Sequence, residues 1–363
     1  MIEGDDRDTW EALRALNLVE PFEIIVAPEA GPQTKPKALN AALPFVKGTF
    51  TVVYDAEDRP EPDQLRKAVA MFEASPKDIA CVQARLTIDN TDDGWLARMF
   101  TAEYAAQFDL FLPGLARMGL PLPLGGSSNH FRTDVLRHVG AWDSYNVTED
   151  ADLGMRLARF GYRSVVIDST TYEEAPFRFG PWTRQRTRWF KGWMQTWLVH
   201  MRRPVRLLQQ LGLKGFVTFQ LVVGGNVLAA LIHPIFVAMF VTALMTGKPL
   251  FGVNGIPEEL TWAFMATLFA GYLVTVIVSV RGLARRVLLP VAWSLGGVIF
   301  HWLLLSLAAW RAVFQLIADP HRWEKTEHGL ARSSRLARMK SAAADPEPSE
   351  ESNAGAAQRR EAA

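Results

Sequence analysis

At 363 residues the chain can hold one soluble domain of ordinary size plus a membrane region, and 39 Lys and Arg against 38 Asp and Glu leave a formal net charge of +1. That balance gives no ground for a nucleic-acid partner, whose phosphates call for a basic excess. Cys81 is the single cysteine, so an intrachain disulfide is excluded. Its apolar strand-like setting suits packing in a reducing compartment.

Residues 22–27 read as a strand, 37–45 as a helix, 50–54 as a buried strand, 61–74 as a helix and 79–84 as the next strand. This βαβαβ rhythm predicts an α/β domain with a mostly parallel sheet covered by helices. A long helix over 93–112 follows, then Gly125-Gly126-Ser127-Ser128-Asn129, a short strand, a helix opening at Thr148 and a strand over 164–168. Ligands in such sheets gather at the carboxyl ends of the strands, and Asp55 stands at one of them.

Asp55, Glu57 and Asp58 place three carboxylates within four residues as the chain leaves a strand. Mg2+ or Mn2+ takes one or two carboxylates plus phosphate oxygens and would neutralise charge on a departing nucleoside diphosphate. Arg59-Pro60 and Pro62 also suit a solvated turn, and the residues alone leave both readings open. Thr148 is a good N-cap residue, with Glu149, Asp150 and Asp152 matching the helix dipole. The functional reading adds that Asp150, at the mouth of the sheet, could accept a proton from an acceptor hydroxyl.

In the next segment Trp189, Trp193 and Trp197 recur at every fourth residue and share a helical face, with basic residues over much of the rest. This predicts an amphipathic helix lying on anionic lipid. Its N-terminal end would offer Trp189 to a sugar ring and Gln185 and Arg188 to acceptor or diphosphate oxygens.

Beyond it the charge disappears. Residues 215–247 hold 33 positions without Asp, Glu, Lys or Arg, residues 260–280 hold 21 and residues 287–310 hold 24. A spanning helix needs about 20 apolar residues, so each run suffices, and three in succession favour a multi-pass region over buried core helices. Arg184, Arg186, Arg188, Lys191, Arg202, Arg203 and Arg206 before the first run, and Arg281, Arg285 and Arg286 after the second, mark the cytoplasmic side of an inner (plasma) membrane. Three crossings would put the basic segment 321–340 outside. A fourth crossing, or one run lying in the interface, would return it to the cytoplasm, and the first run, broken at His233-Pro234, is the expected place. The boundaries are therefore 1–180 for the catalytic domain, 181–212 for the interfacial helix, 213–318 for the transmembrane helices, and 319–363 for a basic juxtamembrane segment and disordered tail.

Lys35-Pro36-Lys37-Ala38-Leu39-Asn40, Asp55-Ala56-Glu57-Asp58, Gly125-Gly126-Ser127-Ser128, Thr148-Glu149-Asp150 and Gln185-x-x-Arg188-Trp189, in this order, resemble a bacterial membrane-bound family 2 glycosyltransferase of the cellulose-synthase-like group. Trp323-Glu324-Lys325-Thr326-Glu327-His328 resembles the tail of such proteins, and the resemblance covers about residues 1–330. It implies a GT-A-like fold, a nucleotide-sugar donor with a UDP-sugar as the expected form, a divalent metal, a polysaccharide or lipid-linked acceptor, and inversion at the anomeric carbon. By resemblance Lys35 and Asp55 lie at the donor diphosphate, and Asp55 is the first metal-binding aspartate, with Glu57 and Asp58 both open as the second. Asp150 matches the catalytic base, Gln185, Arg188 and Trp189 the acceptor-site motif, and Gly126, Ser127 and Ser128 a candidate acceptor loop. The family opens with a strand, a helix and a second strand that hold the nucleotide base; Met1 falls where that second strand should end, so the domain reads as N-terminally incomplete.

An inverting membrane glycosyltransferase is the leading expectation. A membrane-anchored binding or scaffold protein that keeps the fold without turnover is the alternative. A transporter ranks below both, because the apolar runs hold almost no ionisable residue apart from His233 and His301.

Overall fold

The computed structural model describes residues 1–4, 6–246, 258–324 and 330–334. Most of the motif at 323–328 and the tail expected to be disordered lie outside the described residues. In chain order the elements are β1 (Ile2–Glu3), α1 (Arg7–Ala15), β2 (Val26–Ala27), α2 (Lys35–Ala42), β3 (Phe50–Val53), β4 (Arg59–Pro60), α3 (Gln64–Ala74), β5 (Ile79–Ile88), α4 (Trp95–Ala106), α5 (Leu112–Arg117), β6 (Asn129–Arg132), α6 (Thr133–His138), α7 (Glu149–Arg159), β7 (Arg163–Glu173), α8 (Phe179–His200), α9 (Pro204–Phe219), α10 (Asn226–Thr246), α11 (Glu258–Arg285) and α12 (Val298–Ala318). The strand expected over 22–27 forms only at its last two residues, where β2 runs parallel to β1. The helix expected over 93–112 is α4 continued through a wider π turn, Gln107–Phe111, into α5.

The main sheet has the order β3-β6-β5-β7-β4. β5 and β7 pair in parallel, whereas β6 runs opposite to both β3 and β5, and β4 runs opposite to β7. The α/β class holds, but the sheet is mixed rather than mostly parallel. The βαβαβ rhythm does orient β3, β5 and β7 alike. What it misses is β6, which arrives some 80 residues after β3 (Val53↔Asn129) and slots between β3 and β5. β5 is buried along nearly its whole length, as a central strand must be. Register shifts at Ile79/Cys81 and Gln83/Arg85 move its side chains between the two faces. Cys81, Leu86 and Ile88 join Phe100, Phe108, Phe131, Leu136 and Leu153 in the larger core, while Val82 and Ala84 join Ala68, Phe72 and Ile167 beneath α3.

Three helical stretches, Pro204–Thr246, Trp262–Arg285 and Leu289–Ala318, are long and apolar enough to cross a membrane. They are bolted to the catalytic side at specific points. At the end of α11, Arg286 pairs with Asp109 in the π turn and Arg285 donates to the Asp109 main-chain oxygen at 2.5 Å. α12 lies along α8, with His301 against Trp182 at one end and Pro320 O accepting from Gln195 at the other.

The row of tryptophans on α8 faces inward. Trp189 and Trp193 line a cavity, and Trp197 donates to Gln220 at 2.9 Å. Lys191, expected among the lipid-facing cations, is fully buried and donates to Arg322 O at 2.6 Å. Packing against α12 and residues 319–322 takes up this part of α8.

α8 meets the start of α7 at Gly192, where an added Cβ would lie 2.3 Å from Thr148 Oγ1 and 2.7 Å from its Cβ. Helix propensity favours alanine over glycine by about 1 kcal/mol, whereas forcing a methyl into a filled core costs about 1–3 kcal/mol. Gly192→Ala is therefore expected to lower stability, read as a lower melting temperature of the purified protein. An equal or higher melting temperature would show that the α7–α8 contact is loose.

Candidate active site

Asp55 leaves β3 into a turn that the chain closes on itself. The Asp58 amide donates to Asp55 O at 3.1 Å, and the Asp55 amide donates to Asp58 Oδ2 at 2.7 Å. Ser127 Oγ also donates to Asp58. Asp58 thus braces the turn, with its Oδ1 buried and unpartnered among the described residues, while Asp55 and Glu57 line a cavity of about 380 Å³. Lys35, at the first position of α2, pairs with Asp55 and donates to Gly126 O at 2.7 Å.

Opposite, Glu149 and Asp150 open α7. Thr148 occupies the N-cap position as expected, but its hydroxyl makes no capping bond. It turns to Asn146 Oδ1 instead, because Gly192 lets α8 press against it. Asp150 Oδ1 accepts from the Ala151 amide at 2.8 Å, and a Cβ built on Gly126 would lie 3.3 Å from Asp150 Oδ2. The third wall is α8, with Gln185, Arg188, Trp189 and Trp193. Residues past α12 close over it: the Trp323 ring lies 4.6 Å from the Arg188 guanidinium carbon, and Glu324, gripped by both Arg311 nitrogens at 2.7 Å, accepts from Arg188 through its main-chain oxygen.

The cavity therefore gathers Lys35, Asp55, Glu57, Gly126, Asp150, Gln185, Arg188 and Trp189 from the residues singled out in the sequence. Asp58, Ser127 and Ser128 stand behind its wall, where Ser128 donates to Thr171 at 2.6 Å. Sequence reasoning missed Glu149, Glu173, Glu174, Tyr104, Gln107 and Phe108, which also line it. Glu173 and Glu174 carry the same signal as Asp55, an acid at the carboxyl end of a strand. Gln107 and Phe108 come from the π turn, a distortion common at functional sites.

Burial and mutual repulsion dominate the electrostatics. Burial, then Asp150, lifts the Glu149 carboxyl to about 7 against the pull of Lys35 and Arg188. Asp150 is raised, chiefly by burial. Burial and the nearby Asp58 lift Glu173 to about 8, and burial lifts Asp58 to about 6. Burial disfavours the Lys35 ammonium, but Asp55, Glu149 and Asp150 outweigh it and raise its pKa. Among the described residues no three His, Cys, Asp or Glu side chains are arranged to hold a metal on their own. The oxygen-only donors Asp55 and Glu57 at the cavity wall nonetheless fit a hard cation that completes its shell with phosphate and water, and carboxylates that raise one another's pKa are the setting a cation relieves.

The sequence model of the family described as "Glycosyl transferase family group 2" matches residues 50–318. A probable glucomannan 4-beta-mannosyltransferase 1 of Arabidopsis thaliana is 30% identical over 144 residues, 39% of this chain and 26% of that protein. The probable glycosyltransferase YdaM of Bacillus subtilis is 26% identical over 170 residues, 47% of this chain and 40% of that protein. The matched region is thus well under half the length of either relative. A solved structure, mannosyltransferase PcManGT from Pyrobaculum calidifontis in complex with GDP-Man and Mn2+, is 18% identical with a TM-score of 0.43, covering 88% of this chain and 77% of that one.

Glu149 and Asp150 titrate as a pair, so infrared difference spectra should show a carboxyl deprotonating near pH 7 that Asp150→Asn alters. Lys35→Met removes a positive charge that favours the carboxylates and should move that midpoint to higher pH. A midpoint that stays put or falls would show that Lys35 does not act on the pair.

Proposed function

The chain belongs to glycosyl transferase family group 2, and on that premise we propose that it moves a sugar, with inversion, from a nucleotide-sugar donor to a polysaccharide or lipid-linked acceptor at the inner face of a membrane. The observation that carries this is the meeting of Lys35, Asp55, Glu57, Asp150, Gln185, Arg188 and Trp189 in one cavity. Single displacement needs a base on the acceptor and stabilisation of the leaving group. Asp150 takes the proton from the attacking hydroxyl, and its raised pKa suits a base acting near neutrality. Lys35 and Arg188 meet the charge that builds on the leaving diphosphate. Gln185 Oε1 is buried without a partner among the described residues, a state costing about 1–3 kcal/mol that a substrate hydroxyl would relieve. Trp189, Trp193 and Trp323 offer aromatic faces to sugar rings. A divalent cation, Mg2+ or Mn2+, would be held by Asp55 and Glu57 and would supply charge neutralisation at the diphosphate.

The test is a nucleotide-sugar panel, UDP-sugars included, run with protein-containing membranes and scored by nucleoside diphosphate release. Asp150→Asn should lower turnover at least about a hundredfold with donor binding retained, and Asp55→Ala or excess chelator should abolish metal-dependent donor binding. No turnover with any donor sinks the reading; full activity in chelator removes the metal from it.

The membrane topology is part of the same proposal. Contacts of α11 with Asp109 and of residues 319–324 with α8 support a path in which α10 leaves the catalytic side, α11 returns to it and α12 lies in the interface. One face of α12, Val298, His301, Leu305, Ala308, Ala309 and Ala312, is buried, while Phe300, Leu307, Trp310, Phe314 and Ile317 are exposed. The third run rather than the first is then the interfacial one, and the charged segment after it stays cytoplasmic. A reporter fused after Lys340 should be active only in the cytoplasm, and one inserted within residues 247–257 only outside it. Both reporters active only outside would require a third crossing.

A further inference from the structure

Behind the tryptophan wall of the cavity lies a charged trio that the proposed reaction does not use, with Arg186 and His301 buried and Glu103 partly so. Arg186, on α8 between Gln185 and Arg188, is 8% exposed and pairs with Glu103 Oε2 of α4. Glu103 Oε1 faces His301 Nε2 of α12 at 2.9 Å. The Arg186 guanidinium carbon lies 4.2 Å from the Phe100 ring centroid, 4.9 Å from that of Trp189 and 5.5 Å from that of Trp182. Trp189 and Phe100 meet edge to face at 5.6 Å. One planar cation thus sits among three aromatic rings, two of which, Phe100 and Trp189, line the cavity.

A buried ion pair is weak ground for stability, since well-packed apolar residues of similar volume often serve as well. Its stronger use is to fix a geometry. Burial disfavours the Glu103 carboxylate, but Arg186 and His301 outweigh it and hold its pKa at about 2, so it is charged at any working pH. Its two oxygens face donors on two different helices. Arg186 has two anchors, the carboxylate and the rings, and the rings alone leave it free to slide.

On the reading of this cavity as a sugar-transfer site, we infer that Glu103 is a positioning residue for the acceptor wall: through Arg186 it fixes the plane of Trp189, and through His301 it ties that plane to the seating of α12. The consequence is selective. Donor, base and phosphate contacts lie on Lys35, Asp55, Asp150 and Arg188, which the trio does not touch. Only the stacking surface for the incoming sugar depends on it, so water, which needs no stacking surface, remains an effective acceptor when the trio is broken.

The test measures sugar transfer and donor hydrolysis side by side in the membrane-embedded protein. Glu103→Gln keeps shape and removes charge; transfer should fall about tenfold to a hundredfold while hydrolysis and donor KM change by no more than about twofold. His301→Gln should move the ratio the same way by less. An unchanged transfer-to-hydrolysis ratio in folded Glu103→Gln overturns the inference. So does equal loss of both activities, or loss of folded protein in both variants, either of which makes the trio a stability element. If the unmutated protein turns over no nucleotide sugar, the parent reading fails and the inference falls with it.

Discussion

Charge crowding is the constraint on which the site depends. Among the described residues, Asp55, Glu57, Glu149, Asp150, Glu173 and Glu174 line one cavity against only Lys35 and Arg188. Two like charges 4 Å apart repel by about 4 kcal/mol at an effective dielectric of about 20, so crowding of this kind disfavours the charged form. Burial first, and then that repulsion, raises Glu149 and Glu173. Lys35 is the residue that makes the arrangement tolerable: from the first turn of α2 it spans to Asp55 on one wall and Gly126 on another. The same crowding, with burial, holds the Glu149 carboxyl near neutrality.

α8 supplies the frame around that charge. One face carries Gln185, Arg188, Trp189 and Trp193 to the cavity, another carries Arg186 to Glu103, and Lys191 and Gln195 reach main-chain oxygens of residues 319–322. A helix used on every side cannot keep a broad lipid-facing stripe. Of the basic residues that look like headgroup ligands in sequence, Arg186, Arg188 and Lys191 are internal anchors, whereas Arg202, Arg203 and Arg206 are exposed.

Much of the site was legible because short motifs carry their own geometry. An acid after an apolar strand points to the mouth of a sheet, and acids in a first helical turn point the same way, so Asp55 and Asp150 could be paired before their distance was known. What could not be read was long-range. Nothing local in Asn129–Arg132 says that it will part β3 from β5, and the choice between Glu57 and Asp58 turns on Ser127, far off in sequence. Likewise Glu324 looks like a solvated tail residue until Arg311 is seen to grip it. The third apolar run reads as a crossing on length alone; only its contacts with α8 at both ends argue otherwise.

The interposed β6 has a consequence for the order in which the protein is made. Synthesis runs from the N-terminus at about 5–20 residues per second, yet β3 has no partner in the main sheet until Asn129–Arg132 emerges, and the Asp55 turn lacks Ser127 until then. The acids of the first hundred residues must wait for a strand still inside the ribosome. The far wall waits longer, since Glu103 meets His301 and Arg188 meets Trp323 and Glu324 only when the last described helix has been released. A nascent chain therefore carries its acids long before it can assemble the pocket around them. The site matures last, after the long apolar helices that follow it in sequence have left the ribosome.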